Sequence, residues 1–158
     1  MKLKPIALGA FLASALTLSL SAFAASPKGA TLLIHHQQHG CHAWSLNGGP
    51  FIVHQSVRLA SGGTLTVTNN DLMVQELVKT SGPVVAMKLV KTGNMSMGAK
   101  MHMGKAGPYA MAHMGAIVKV TFPHAGTYHF KLMDRGDYYP GIKTIGPDNK
   151  PTLSVVVS

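Results

Sequence analysis

The chain has 158 residues, with fourteen lysines and arginines against five acids, nine histidines, ten methionines and a single cysteine. One cysteine excludes an internal disulfide framework, so the fold stands on its apolar core alone. The formal charge of +9 raises the question of nucleic acid. However, the lysines (Lys79, Lys88, Lys91, Lys100, Lys105, Lys119, Lys131) are scattered and not interleaved with aromatic residues, so the charge is read as solubility and steering toward an acidic partner, with no nucleic acid expected.

Lys2 and Lys4 open the chain, and no charged residue follows between Ile6 and Ala25. Ala22-Phe23-Ala24 then supplies small residues in an A-x-A arrangement. A charged start, an apolar stretch and such a site define a secretory signal peptide. The competing reading is a membrane anchor, since the stretch is long enough to span. The small residues favour cleavage, and no later segment is apolar enough to cross a bilayer. The expectation is a signal peptide over 1–25 and one domain over 26–158, periplasmic or secreted. About 130 residues suffice for one domain with a real core.

The rest reads as short β segments between turn residues. Thr31 to Ile34 is apolar, and Phe51 to Leu59 follows the Asn47-Gly48-Gly49-Pro50 turn. Leu65 to Thr68 alternates cleanly until Asn69-Asn70-Asp71 breaks it. Leu72 to Lys79 and Val84 to Val90 flank Ser81-Gly82-Pro83; Ile117 to Phe122 and Thr127 to Leu132 flank Pro123 to Gly126, and Leu153 to Val157 closes the chain. Seven or eight such strands, rich in Val and Thr, predict an antiparallel β-sandwich. Period-2 alternation places Tyr128, Phe130 and Leu132 inside with Val118, Val120 and Phe122, and turns His129 and Lys131 to solvent. Two long segments interrupt the pattern: 93–115, with five glycines and six methionines, and the polar stretch from Asp134 to Lys150. Long loops of this kind are functional or disordered.

The run from Gly62 to Asp71 (Gly-Gly-Thr-Leu-Thr-Val-Thr-Asn-Asn-Asp) and Ala125-Gly126-Thr127-Tyr128-His129-Phe130 stand in order ahead of a last loop and strand. Together they resemble two strands of the cupredoxin superfamily, across most of the chain beyond the leader. The resemblance implies a Greek-key β-sandwich that commonly holds copper. The family's ligands do not carry over: Gln75 stands where the first histidine is placed and Leu132 where the cysteine is placed, and the loop from Met133 to Pro151 contains neither Cys nor His. A blue-copper centre needs two imidazoles, a thiolate and a weak axial ligand, so it cannot form at its usual place.

Two other clusters carry metal chemistry. Four histidines and the cysteine fall between His35 and His42. In an extended chain His35, His39 and Cys41 project to one side, and His36 and His42 to the other. His39 and Cys41 can chelate one ion with Gly40 easing the bend, whereas Cys41 and His42 share an ion only if the chain turns there. Thiolate with imidazole suits copper or zinc. The alternative is a polar stretch followed by Cys41 and Trp44 as core residues. The second cluster comprises Met95, Met97, Met101, His102, Met103, Met111, His113 and Met114. Thioethers with histidine bind Cu(I), and gap-filling core methionines are the bland reading. The loops at one end of a sandwich meet, so Cys41 or His42, Met73 or Gln75, and a His-Met pair such as Met101-His102-Met103 or His113-Met114 can form a relocated site.

Enzymatic signatures are missing: there is no Ser/His/Asp set in context, no phosphate loop and no H-E-x-x-H. The sequence therefore predicts a non-enzymatic, exported copper-binding protein serving copper handling or electron transfer, with a redox or copper-delivery protein as partner. A metal-free module binding a partner through its basic surface is the rival expectation.

Overall fold

The computed structural model describes residues 25–94, 107–134 and 145–158. Residues 1–24, which carry most of the expected signal peptide, most of the methionine-rich segment and part of the last loop lie outside these.

The chain opens with β1 (Gly29–Gln37), β2 (Cys41–Leu46) and the short β3 (Phe51–Ile52). β4 (His54–Leu59), β5 (Thr64–Asn70), β6 (Gln75–Ser81) and β7 (Ala86–Thr92) follow. β8 (Ala110–Met111), β9 (Ala116–Thr121), β10 (Gly126–Asp134) and β11 (Thr152–Val157) complete it. No helix occurs among the described residues. Two sheets result, a six-stranded one in the order β3-β2-β1-β5-β9-β7 and a five-stranded one in the order β4-β11-β10-β6-β8. The all-β, sandwich-like architecture agrees with the sequence.

Its strand directions correct the expected all-antiparallel arrangement, because β1 runs parallel to β5 and β11 parallel to β4. Neither pair is joined by a hairpin, so nothing obliges its members to run in opposite directions. The run from Phe51 to Leu59 is also two strands rather than one. The chain changes sheet at Val53, whose carbonyl accepts hydrogen bonds from Trp44 Nε1 and the Thr152 amide, both at 3.0 Å.

The core lies between the sheets and follows the period-2 pattern. Leu65 and Val67 from β5, Val118 and Val120 from β9, and Tyr128, Phe130 and Leu132 from β10 are all buried together. Phe122 stacks edge-on against Tyr128 at 5.0 Å and Phe130 at 6.1 Å between centroids, arrangements that contribute beyond area burial. His129 and Lys131 are exposed, as alternation requires. One inward position of β5 departs from the apolar rule: Asn69 is fully buried. Its amide donates to the carbonyls of Met73 and Met111 at 2.9 and 3.0 Å, and its oxygen accepts the Asp71 amide at 2.9 Å. A buried amide satisfied at both ends is a rigid fixture. It anchors the chain from Asp71 to Met73 beside the β1–β2 hairpin.

Candidate metal centre

The site begins with the hairpin register. Pairing sets Gln37 opposite Cys41 and His36 opposite His42, so the two rings share one side of the ribbon. Their centroids lie 6.2 Å apart in an edge-on arrangement. In a regular strand Cys41 would point away from His42. Here it does not, because the backbone turns: Gly40 has φ +72°, Cys41 has φ +64°, and the His42 amide bonds back to the Gly40 carbonyl at 2.7 Å. A non-glycine residue in the left-handed region costs of order 1–3 kcal/mol and persists only where its surroundings hold it.

The surroundings do hold it. The Asn149 amide donates to Gly40 O at 2.7 Å, the Gly40 amide donates to Ile145 O at 3.0 Å, and Asn149 Nδ2 donates to His42 O at 2.8 Å. The closing part of the last loop thus clasps the turn. Both Cys41 and His42 are buried, and His36 is partly so.

The result is a His36–Cys41–His42 group whose ligand atoms, one from each residue, lie within 4.8 Å of one another; it can hold a metal ion. Cys41 Sγ is 3.9 Å from His36 Nδ1 and 3.8 Å from Met73 Sδ. Met73 is buried against the same cysteine, which adds a thioether to two imidazoles and a thiol.

Carboxylates flank His42. Its Nδ1 donates to Asp71 Oδ2 at 2.9 Å, and its Nε2 lies 3.8 Å from Asp134 Oδ2. Asp71 Oδ1 accepts the Met73 amide at 3.1 Å, tying the thioether-bearing loop to the imidazole. Burial opposes charge on His42, but Asp134 and Asp71 outweigh it, and the pKa rises from 6.5 to about 9. The metal-free centre therefore contains an imidazolium held by two acids. A metal must displace that proton, because imidazole ligates in its neutral form.

Among the described residues two buried side-chain polar atoms lack a hydrogen-bond partner: His36 Nε2 and Gln75 Oε1. Both belong to this cluster, since Gln75 Nε2 lies 3.2 Å from His42 Nδ1. Orphaned buried polar atoms are rare in native structures, and a bound ion is one of the partners that satisfies them. Both their location and the donor chemistry fit a metal here.

The structure sorts the residues singled out in the sequence. Cys41 and His42 are in the group, and Met73 and Gln75 lie beside it at 3.8 Å from Cys41 Sγ and 3.2 Å from His42 Nδ1; no His-Met pair of the kind the relocated-site reading required is among the described residues brought there. His39 is exposed and is not part of the group; it sits at the hairpin tip, bridged to Ile145. His113 is not part of it either, and Met114 is exposed in the turn before β9. Met101, His102 and Met103 lie outside the described residues. His36 replaces His39 as the partner, a choice set by the hairpin register. Asp71 and Asp134 were not anticipated, and for Asp71 the only sequence signal was an acid closing the Asn-Asn-Asp break.

No protein-family model matches the sequence, and no curated protein matches it. Among solved structures, a cysteine protease inhibitor from Entamoeba histolytica is similar with a TM-score of 0.41 at 13% identity, covering 84% of this chain and 99% of its own. Amebosin gives a TM-score of 0.31 at 15% identity over 70% of this chain and 100% of its own. An inclusion body protein from Burkholderia cenocepacia gives 0.36 at 8% identity, over 88% of this chain and 100% of its own. Likenesses at this level carry no argument about function, and the chemistry of the site must be argued from its own residues.

Proposed function

We propose that this protein is an exported, cupredoxin-like domain that binds one copper ion through His36, Cys41 and His42, for copper handling or electron transfer. The observation that carries the reading is the convergence of a thiol and two imidazoles on one point, with the Met73 thioether 3.8 Å from Cys41 Sγ. Thiolate and thioether are soft donors that suit copper, and imidazole suits it in either oxidation state; magnesium and calcium want oxygen ligands instead. Zinc accepts thiolate and imidazole but gains little from a thioether. The cupredoxin-type reading is supported by the two motif runs, whose residues fall on β5 and β10. Export is supported by the leader, with its A-x-A site.

In this reading the protein's residues divide the work. His36, Cys41 and His42 hold the ion, Asp71 orients the His42 ring, and the clasp at Gly40 and Asn149 keeps the turn that brings Cys41 and His42 together. Copper bound there would supply one-electron chemistry or a cargo for delivery. The decisive measurement is titration of residues 26–158 with Cu(II) by visible absorption and with Cu(I) by chelator competition. Submicromolar binding that Cys41→Ser abolishes is the expected result. An intense visible band would assign electron transfer, and tight Cu(I) binding without it would assign copper handling. Binding of neither ion would overturn the reading in favour of a copper-free partner-binding module.

A further inference from the structure

On the outer face of the five-stranded sheet, away from the metal centre, β4, β11, β10 and β6 line a cleft of about 620 Å³. We infer that this cleft is a binding site for a small organic anion, held by its phosphate or carboxylate group. The inference does not depend on copper.

Strand register builds the floor of the cleft. Pairing of β11 with its two neighbours sets Thr152 between His54 and Lys131, and Ser154 between Ser56 and His129. Partners across a ladder share a face, so these six side chains form two adjacent rows on the outside of the sheet. Hydroxyls of β11 fix both rings: His54 Nδ1 lies 2.8 Å from Thr152 Oγ1, and His129 Nδ1 lies 2.9 Å from Ser154 Oγ. A hydroxyl that donates to Nδ1 places the ring proton on Nε2, and one that accepts from a protonated ring leaves a proton on Nε2 as well. Either way Nε2–H is the donor offered to a ligand. Lys131 adds a full charge beside Thr152, and Arg58 is exposed on the same face two residues beyond Ser56. Among the described residues no carboxylate lines the cleft.

The same lining decides between occupants. Its apolar members, Phe130 and Leu153, are each 1% exposed and belong to the core. The cleft therefore lacks the aromatic or aliphatic anchors that carry protein interfaces. His54 and His129 stand on strands separated by β11, and neither joins a group of three metal ligands among the described residues. What the floor offers is N–H donors and positive charge without a competing acid. Oxyanions are bound by such charge-assisted bonds, which are roughly twice as strong as neutral ones. The volume falls in the range of small-molecule sites, about 300–1,000 Å³. Two strand spacings, about 10 Å, separate the His54 and Lys131 backbones, which leaves room for a phosphate-sized group above Thr152.

The test is calorimetric titration of chelator-treated residues 26–158 with inorganic phosphate, glycerol phosphate, citrate, glycerol and heparin. Saturable one-to-one binding of glycerol phosphate or citrate is expected, with glycerol inert, and the tighter of the two assigns phosphate or carboxylate. Lys131→Gln and His129→Gln should each weaken that binding about tenfold, the scale of one charge-assisted hydrogen bond. Lys119→Gln, an exposed position on the outer face of the other sheet, should leave it unchanged. Both substituted cleft residues are exposed, so the variants should keep the wild-type melting temperature. In the unmodified protein, the ring-proton resonances of His54 and His129 should shift on saturation. Failure of every small anion to bind saturably, equal weakening by Lys119→Gln, glycerol binding as tight as glycerol phosphate, or ring resonances that stay in place overturns the inference. Binding of heparin alone also overturns it, and would mark a diffuse basic surface instead.

Discussion

The state of His42 has a measurable consequence for the metal-free protein. In the fold its pKa is about 9, against 6.5 for an unperturbed histidine. Below pH 6.5 the ring is protonated in both folded and unfolded chains, and the stabilisation from Asp134 and Asp71 is fully present. Between 6.5 and 9 the unfolded chain releases its proton first, so each further rise in pH favours unfolding; above 9 the contribution is gone. At about 1.4 kcal/mol per pKa unit the loss amounts to about 3 kcal/mol. For a domain of this size that corresponds to roughly 10 °C in melting temperature. The assay is urea or thermal unfolding of chelator-treated residues 26–158 from pH 6 to 10, alongside His42→Gln and Asp134→Asn. Asp134 stands on the more exposed side of the ring, so its removal should shrink the drop without abolishing it. His42→Gln will be less stable at every pH because it strands the Asp71 carboxylate, yet its curve should lack the slope between 6.5 and 9. A wild-type curve flat across that window, or an equal slope in His42→Gln, would refute the reasoning.

Two further outcomes follow from the site's construction. His36→Ala should weaken copper binding by at least the about 10–100-fold that losing a ligand's outer-shell support costs, while His39→Ala leaves it unchanged; chelator competition on both variants checks this. Gly40→Ala should cost about 1–3 kcal/mol, because φ is +72° and a Cβ there would run into the Asn149 amide. Denaturant unfolding reads that loss, and copper affinity should fall with it as the turn at Cys41 is displaced.

Much of the fold was legible in the sequence because alternation is a local signal. Val118, Val120, Phe122, Tyr128, Phe130 and Leu132 were placed in the core from their spacing, and all six are buried. The Asn-Asn-Asp break was legible only roughly, because β5 continues through Asn69 and Asn70 and ends before Asp71, and the buried amide of Asn69 that organises the turn was not legible. The break inside Phe51–Leu59 was hidden, since an exchange between sheets at Val53 leaves no mark on hydropathy. The parallel pairings were equally hidden, because strand direction depends on contacts between residues far apart in sequence.

The site divides along the same line. Composition and spacing by themselves determined that Cys41 stands among histidines and that Cys41 and His42 could share an ion only across a turn. Only the tertiary structure decided that the turn exists, since the positive φ of Cys41 is held by Ile145 and Asn149 from over a hundred residues away. Tertiary structure also chose His36 over His39, through hairpin register, and brought Asp71, Met73 and Gln75 from the end of β5 and the start of β6 to the same point. Spacing reveals what neighbours in the chain can do together. A ligand set assembled from a hairpin, a strand break and a distant loop exists only once the sheets have packed.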